Sequence, residues 1–246
     1  MYKLCVLILI ILLAACTSRP SLAPVVELKW KPQNPNKTTH IVQRGDTLYA
    51  VAFRYDQDYR QLAAMNHLHR PFALRVGQVL RVRGIAPRAR FLPMRPTRTA
   101  RYVARTKQNS YSNAKPHRYG AVSNQGQKWI WPVNGRVAAR FAPQQGKKGI
   151  DIAGKKGETI RAASSGVVAY AGSGLSGYGN LIIIKHNDQY LTAYGNNSRN
   201  RVKEGQNVKA GQIIAEMGVI DRRYWGVHFE IRKAGKPVNP LDYLKG

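Results

Sequence analysis

Acidic side chains are scarce in this sequence of 246 residues. It contains 12 Asp and Glu against 40 Lys and Arg, which gives a formal net charge of +28 at pH 7. No acidic residue lies between Asp58 and Asp151. A charge of this size favours a polyanionic partner such as nucleic acid, anionic lipid headgroups or a wall polymer that bears carboxylates. The charge alone does not choose among these partners.

Cysteine and long apolar runs are scarce as well. The apolar run at residues 4–13 follows Lys3, is too short to span a bilayer, and precedes two alanines and Cys16. This arrangement predicts a secretion signal over residues 1–15. Residues 13–16 also resemble a bacterial lipobox, whose cysteine is lipidated and becomes the first mature residue. Because Cys5 leaves with the signal, Cys16 is alone and no internal disulfide forms.

The residue after the lipidated cysteine is Thr17. Bacterial lipoproteins that stay in the inner membrane carry Asp at this position, so the resemblance implies an outer-membrane lipoprotein that faces the periplasm. Export argues against nucleic acid as a partner. Residues 16–39 are rich in Pro, Ser, Asn and Lys, which predicts a flexible tether between the lipid and the first domain.

A small α+β domain is predicted over residues 40–83. A strand at residues 40–42 is followed by a helix that Asp46 or Thr47 caps, a second helix that Asp58 caps, and a strand at residues 79–82. The segments 40–49 and 74–82 resemble the LysM domain, a family that binds the N-acetylglucosamine-containing glycan of peptidoglycan or chitin. The resemblance implies that two loops flank a glycan groove, and the candidate residues are Gly45, Asp46, Thr47, Leu74, Arg75 and Val76. Residues 45–47 could instead serve only as a turn and helix cap.

Residues 84–127 contain four prolines and many arginines and show no sustained periodicity. This composition predicts a basic, extended linker that repels itself. It could lie on anionic lipid or on wall carboxylates, or it could be a solvated spacer.

Short strands separated by glycine turns dominate residues 128–246. Strand patterns occur at 166–171, 180–186, 190–194, 212–216 and 227–232, and no long helical stripe appears. We therefore expect a mainly antiparallel all-β domain. The segments 131–135, 147–153, 157–162, 177–180, 202–212 and 227–231 together resemble the LytM, or lysostaphin-type, zinc peptidase family.

Active members of this family hold zinc with the His and Asp of an H-x-x-x-D motif and the second His of H-x-H. Here the first position is Lys147, while Asp151 and His228 are present. The two histidines that would handle protons are replaced by Gly226 and by Asn196. The resemblance therefore implies that one ligand and both catalytic histidines are missing.

A catalytic zinc needs about three protein ligands and an open position for water. The ammonium group of Lys147 is no ligand, and no Ser or Cys nucleophile replaces the lost chemistry, so we predict neither a metal, another cofactor nor catalytic residues. Lys147 could occupy the place of the metal and pair with Asp151, or it could point to solvent beside Lys148.

A LysM module followed by a degenerate LytM domain on a lipoprotein resembles the NlpD-type murein hydrolase activators, as do segments 148–154 and 177–187 in detail. That resemblance implies binding and activation of a periplasmic N-acetylmuramyl-L-alanine amidase during septum splitting. The groove residues would be Lys147, Lys148, Asp151, Tyr178, Asn196, Gly226, His228 and Arg232. Two alternatives stay open: a non-activating peptidoglycan tether, and a weak zinc endopeptidase.

Overall fold

The computed structural model describes residues 37–84 and 128–244. The predicted signal, the lipidation site Cys16, the tether up to residue 36 and the linker from residue 85 lie outside these ranges. In the two described ranges, no helix is long and apolar enough to cross a membrane. We refer to residues 37–84 as the N-terminal domain and to residues 128–244 as the C-terminal domain.

The N-terminal domain has the predicted order of elements: β1 (Thr39–Ile41), α1 (Leu48–Arg54), α2 (Tyr59–Met65) and β2 (Val79–Arg81). The two strands pair antiparallel, with His40 opposite Leu80. Both helix caps are confirmed. The hydroxyl of Thr47 accepts from the amide of Ala50 at 3.1 Å, and the carboxylate of Asp58 accepts from the amide of Arg60 at 2.8 Å.

The C-terminal domain contains ten β-strands, as its glycine-punctuated apolar pattern predicts. They are β3 (Arg136–Ala139), β4 (Ile150–Ala153), β5 (Thr159–Arg161), β6 (Gly166–Gly172), β7 (Asn180–Lys185), β8 (Tyr190–Asn200), β9 (Asn207–Val208), β10 (Ile213–Ile220), β11 (Tyr224–Lys233) and β12 (Lys236–Val238). They form one antiparallel sheet in the order β3-β4-β11-β10-β8-β7-β6-β9, with β12 on β11 and β5 on β10. The expectation of an antiparallel all-β domain is confirmed.

Strand β11 positions the groove residues because it pairs with β4 on one side and β8 on the other. His228 lies opposite Asp151 of β4 and opposite Gly195 of β8. Successive side chains of a strand point to opposite faces. Val227, Phe229 and Ile231 are therefore buried in the main core, while His228, Glu230 and Arg232 share the other face.

The two domains pack against each other through α1. Ala50 and Phe53 of this helix share an apolar cluster with C-terminal-domain residues that include Tyr170, Leu181 and Ile183. The approach is close at Gly235, in the turn between β11 and β12. A Cβ atom there would lie 2.1 Å from the carbonyl carbon of Gln57, so only glycine fits this contact.

Candidate functional site

The side chains on the polar face of β11 belong to a continuous chain of alternating charges. Its first link joins β4 to β11, where Nδ1 of His228 lies 2.6 Å from Oδ1 of Asp151. The phenol of Tyr224 donates to the other oxygen of Asp151 at 3.1 Å. Nε2 of His228 lies 3.0 Å from Oε1 of Glu230, which also accepts from the phenol of Tyr178 at 2.9 Å. Both ring nitrogens of His228 are therefore engaged by carboxylates.

The chain continues from the C-terminal domain into the N-terminal one. The guanidinium of Arg232 lies 2.7 Å from Oε2 of Glu230 and forms an ion pair with Asp56, which follows α1. Asp56 also accepts from Lys148 at 2.5 Å. The Arg232 guanidinium stacks over the Phe53 ring, 4.0 Å from its centre. We call Asp151, His228, Glu230, Arg232, Asp56 and Lys148 together the ion chain.

Burial strengthens these pairs, and the neighbouring charges decide each pKa. Burial alone would lower the pKa of His228, but its hydrogen bonds to Asp151 and Glu230 raise it to about 9. Burial alone would raise the pKa of Glu230, but the charge of Arg232 and the hydrogen bond from His228 lower it to about 2. Burial alone would raise the pKa of Asp151, but the hydrogen bond and charge of His228 and the hydrogen bond from Tyr224 together lower it. At neutral pH the ring of His228 is therefore an imidazolium between two carboxylates.

These residues do not fit a zinc ion. A metal-bound histidine must be neutral and offer one free ring nitrogen, whereas both nitrogens of His228 face carboxylates within 3.0 Å. The first position of the motif, which would supply the third ligand, holds the exposed Lys147. Within residues 37–84 and 128–244, no group of three His, Cys, Asp or Glu side chains is arranged so that it could hold a metal ion. The positive charge of the His228 imidazolium lies where a metal cation would have to bind.

A groove with a cavity of about 120 Å³ opens over the first part of the ion chain. Six of the eight predicted groove residues line it, namely Lys147, Lys148, Asp151, Tyr178, Asn196 and His228. Asp221 and Glu230, which were not among the predicted groove residues, line it too.

Arg232 and Gly226 do not line the groove, which corrects two predictions. Arg232 is 0% exposed because Phe53 and Asp56 of the N-terminal domain cover it, so it is not a rim residue. Gly226 is buried, and a Cβ there would approach the side chains of Ile220 and Tyr224 within 3.2 Å. These two side chains fill the space beside Gly226.

The suggested pair between Lys147 and Asp151 also differs from the structure. Among the described residues, His228 and Tyr224 make the hydrogen bonds to Asp151. Lys147 is exposed, and its charge makes a smaller contribution to lowering the pKa of Asp151. The cation that pairs with Asp151 is therefore His228 and not Lys147.

The six predicted glycan residues lie on two loops, but the structure gathers only some of them. Asp46, Thr47 and Leu74 line one cleft between the two domains. Gly45, Arg75 and Val76 do not line it, and Val76 is 72% exposed. The carboxylate of Asp46 accepts from the amide of Gln43 at 2.9 Å, and one of its oxygens lies 2.7 Å from the ring of His40.

Comparisons with known proteins match both domains to known families. Residues 40–83 match the LysM domain, and residues 145–240 match peptidase family M23. The chain is 37% identical to the "Murein hydrolase activator NlpD" of Escherichia coli K12, over 84% of this chain and 68% of that protein. Among solved structures, Helicobacter pylori Csd3 matches with 31% identity and a TM-score of 0.44, over 49% of this chain and 34% of that one.

A further relative covers nearly the whole chain. The "Lipoprotein NlpD/LppB homolog" of Pseudomonas aeruginosa is 41% identical over 95% of this chain and 88% of its own length. The chain therefore belongs to the NlpD/LppB family of lipoproteins and joins a LysM domain to a domain of peptidase family M23.

Proposed function

We propose that this protein is an outer-membrane lipoprotein, anchored through Cys16, that activates a periplasmic N-acetylmuramyl-L-alanine amidase. The N-terminal LysM domain binds peptidoglycan, and the C-terminal domain engages the amidase without hydrolysing peptidoglycan itself. The relatives named murein hydrolase activators support this direction.

One observation carries the proposal. The two ligands that remain from the zinc motif, Asp151 and His228, are bonded to each other, while the groove above them stays open. A peptidase fold with an open groove, whose two remaining ligand residues bond to each other, is suited to binding rather than to metal-assisted hydrolysis.

The groove has the chemistry of a protein-docking site. Lys147 and Lys148 bring positive charge to one side, Tyr178 offers an aromatic surface, and Asp221 brings a negative charge. Charges of both signs around an aromatic surface can orient a partner element and exclude wrong ones. We propose that a regulatory helix of the amidase docks here.

Peptidoglycan binding is assigned to the loops of the LysM domain. Leu74 offers an apolar contact for a sugar ring, and Asp46 and Thr47 bring polar groups beside it. The proposal retains all six loop residues predicted from the sequence, with Asp46, Thr47 and Leu74 nearest to one another in the cleft.

The test combines the full-length protein, a purified periplasmic amidase and dye-labelled sacculi. We expect the protein to increase dye release by the amidase and to release none by itself. Lys147→Glu reverses a charge in the groove and should reduce the stimulation at least about fivefold. Lys209→Glu makes the same change on an exposed turn outside the groove and should leave the stimulation unaltered.

Two results would contradict the proposal. Sacculus binding without stimulation of any periplasmic amidase would identify a tether instead of an activator. Dye release by the protein alone, abolished by a chelator, would identify a zinc endopeptidase.

A further inference from the structure

A second cavity lies between the two domains and is larger than the groove. Its volume is about 510 Å³, within the range of small-ligand sites. One wall is the loop face of the LysM domain, with Tyr49, Phe72 and Leu74. The opposite wall belongs to the M23 domain, where Val167 of β6, Lys185 of β7 and the turn residue Glu204 contribute. We call this cavity the interdomain cleft.

Hydrogen bonds between the two domains fix the distance between the walls of the interdomain cleft. The hydroxyl of Thr47 donates to the carbonyl oxygen of Ala169 at 3.2 Å. Next to it, the guanidinium of Arg54 donates to the carbonyl oxygen of Gly174 at 2.9 Å. On the other side, the phenol of Tyr59 donates to Asp188 at 3.0 Å. The cleft is therefore formed in advance, so a ligand need not order its walls.

The lining of the cleft matches an acetylated sugar chain with acidic substituents. The aromatic rings of Tyr49 and Phe72 meet edge to face, 6.5 Å apart, and offer apolar surface for the faces of sugar rings. Lys185 brings an ammonium group that can meet a carboxylate. Its amine already contacts Asp188 at 3.0 Å, which fixes its position at the edge of the cleft.

Glu204 is the second charged group on the M23 wall. Within the described ranges no cation pairs with its carboxylate, although cations outnumber acids more than threefold in this chain. A carboxylate in this position can accept hydrogen bonds from sugar hydroxyls, acetamido N–H groups or the amides and amines of a stem peptide.

We infer that the interdomain cleft is a composite site for a peptidoglycan glycan strand that still carries its stem peptides. The LysM loops hold the sugar chain, and the M23 wall reads the peptide-bearing side through Lys185 and Glu204. This inference rests on the proposed glycan binding by the LysM domain and adds the second wall to it.

The test measures binding of a disaccharide tetrapeptide muropeptide to the full-length protein by calorimetry. Glu204→Ala removes the unpaired carboxylate, and Val167→Trp fills the cleft from the M23 side. Each should weaken binding about tenfold, the effect of losing one hydrogen bond to a charged group or of blocking part of the site. Glu216→Ala serves as the control, since Glu216 pairs with Arg201 outside the cleft. Melting curves confirm that each variant is folded.

Leu74→Ala, on the LysM wall, separates the inference from the proposed function. Weaker binding in Leu74→Ala and in both M23-wall variants supports the composite site. Weaker binding in Leu74→Ala alone overturns the composite site but leaves glycan binding by LysM intact. Tighter binding in Val167→Trp would mean that the M23 wall competes with the glycan, which also overturns it. Unchanged binding in all three variants overturns both assignments.

Discussion

The groove and the interdomain cleft differ in how their charged side chains are paired. Beneath the groove, Asp151, His228 and Glu230 follow one another within 3.0 Å, so each of these three charges has a partner of opposite sign. In the cleft, Glu204 has no paired cation among the described residues, and the cavity is about 510 Å³ against about 120 Å³. A site whose charges are already paired resists a small ion, whereas space beside an unpaired charge favours a polar ligand.

The largest effect is expected from breaking the buried part of the ion chain. Arg232→Met leaves Glu230 and Asp56 without their shared cation, and both Arg232 and Glu230 are 0% exposed. Removing one partner of a buried ion pair costs about 3–5 kcal/mol. We expect a loss of that size in the free energy of unfolding, measured with urea. Arg201→Met, which removes an exposed partner of Glu216, should cost only about 0–1 kcal/mol. Equal losses in the two variants would contradict the role of the ion chain.

The next effect concerns the contact between Gly235 and Gln57, which joins the two domains. Gly235→Asn keeps a residue that tolerates the positive φ of 80°, but its side chain collides with the backbone of Gln57. We expect the domains to separate locally at a cost of about 1–3 kcal/mol, with faster hydrogen exchange in α1. Gly157→Asn is the matched control, because Gly157 has a φ of 71° and open space around it. Slow exchange in both variants would mean that the interface does not depend on this turn.

The buried His186 sharpens the comparison, because it bonds to no carboxylate in the described part of the chain. His186 bonds to the carbonyl oxygen of Ser165 and to the hydroxyl of Thr192, both at 2.8 Å. Burial lowers its pKa to about 4, whereas carboxylates raise that of His228 to about 9. The unfolded chain therefore binds a proton more readily than folded His186 does. Its contribution to stability is complete above pH 6.5 and is lost as the pH falls toward 4.

We expect the stability difference between the wild type and His186→Asn to shrink by about 1.5 kcal/mol between pH 7.5 and pH 5.5. The change of His228 is common to both proteins and cancels in this difference. Urea unfolding at a series of pH values measures it. A difference that stays constant with pH would show that His186 does not titrate in this way.

The smallest effect is expected from introducing a metal-binding side chain into the groove. Lys147→His supplies the missing donor of the motif and removes a positive charge. We expect zinc affinity to rise at least about tenfold over the wild type, which itself should show no submicromolar binding. A chelator-competition titration measures both. Lys148→His alters a neighbouring charge outside the motif and should change the affinity little.

Local patterns in the sequence were sufficient for the elements and for most of the groove. Thr47 and Asp58 were identifiable as helix caps because a cap depends on neighbours within three residues. The burial of Arg232 was not identifiable, because its partners Phe53 and Asp56 lie more than 175 residues away in another domain. Glu230 could have been found, since it shares the two-residue period of β11 with His228.

The ion chain also bears on how charge is distributed over the rest of the molecule. Three of the 12 acidic residues of the whole protein, Asp56, Asp151 and Glu230, are used in it. Each of them is paired with a cation of the ion chain, His228, Arg232 or Lys148, so the positive potential of the molecule comes from the lysines and arginines outside the ion chain. Such a potential attracts the carboxylates of the wall over distances of about 10 Å. The ion chain itself is neutral, so this attraction comes from the cations outside it.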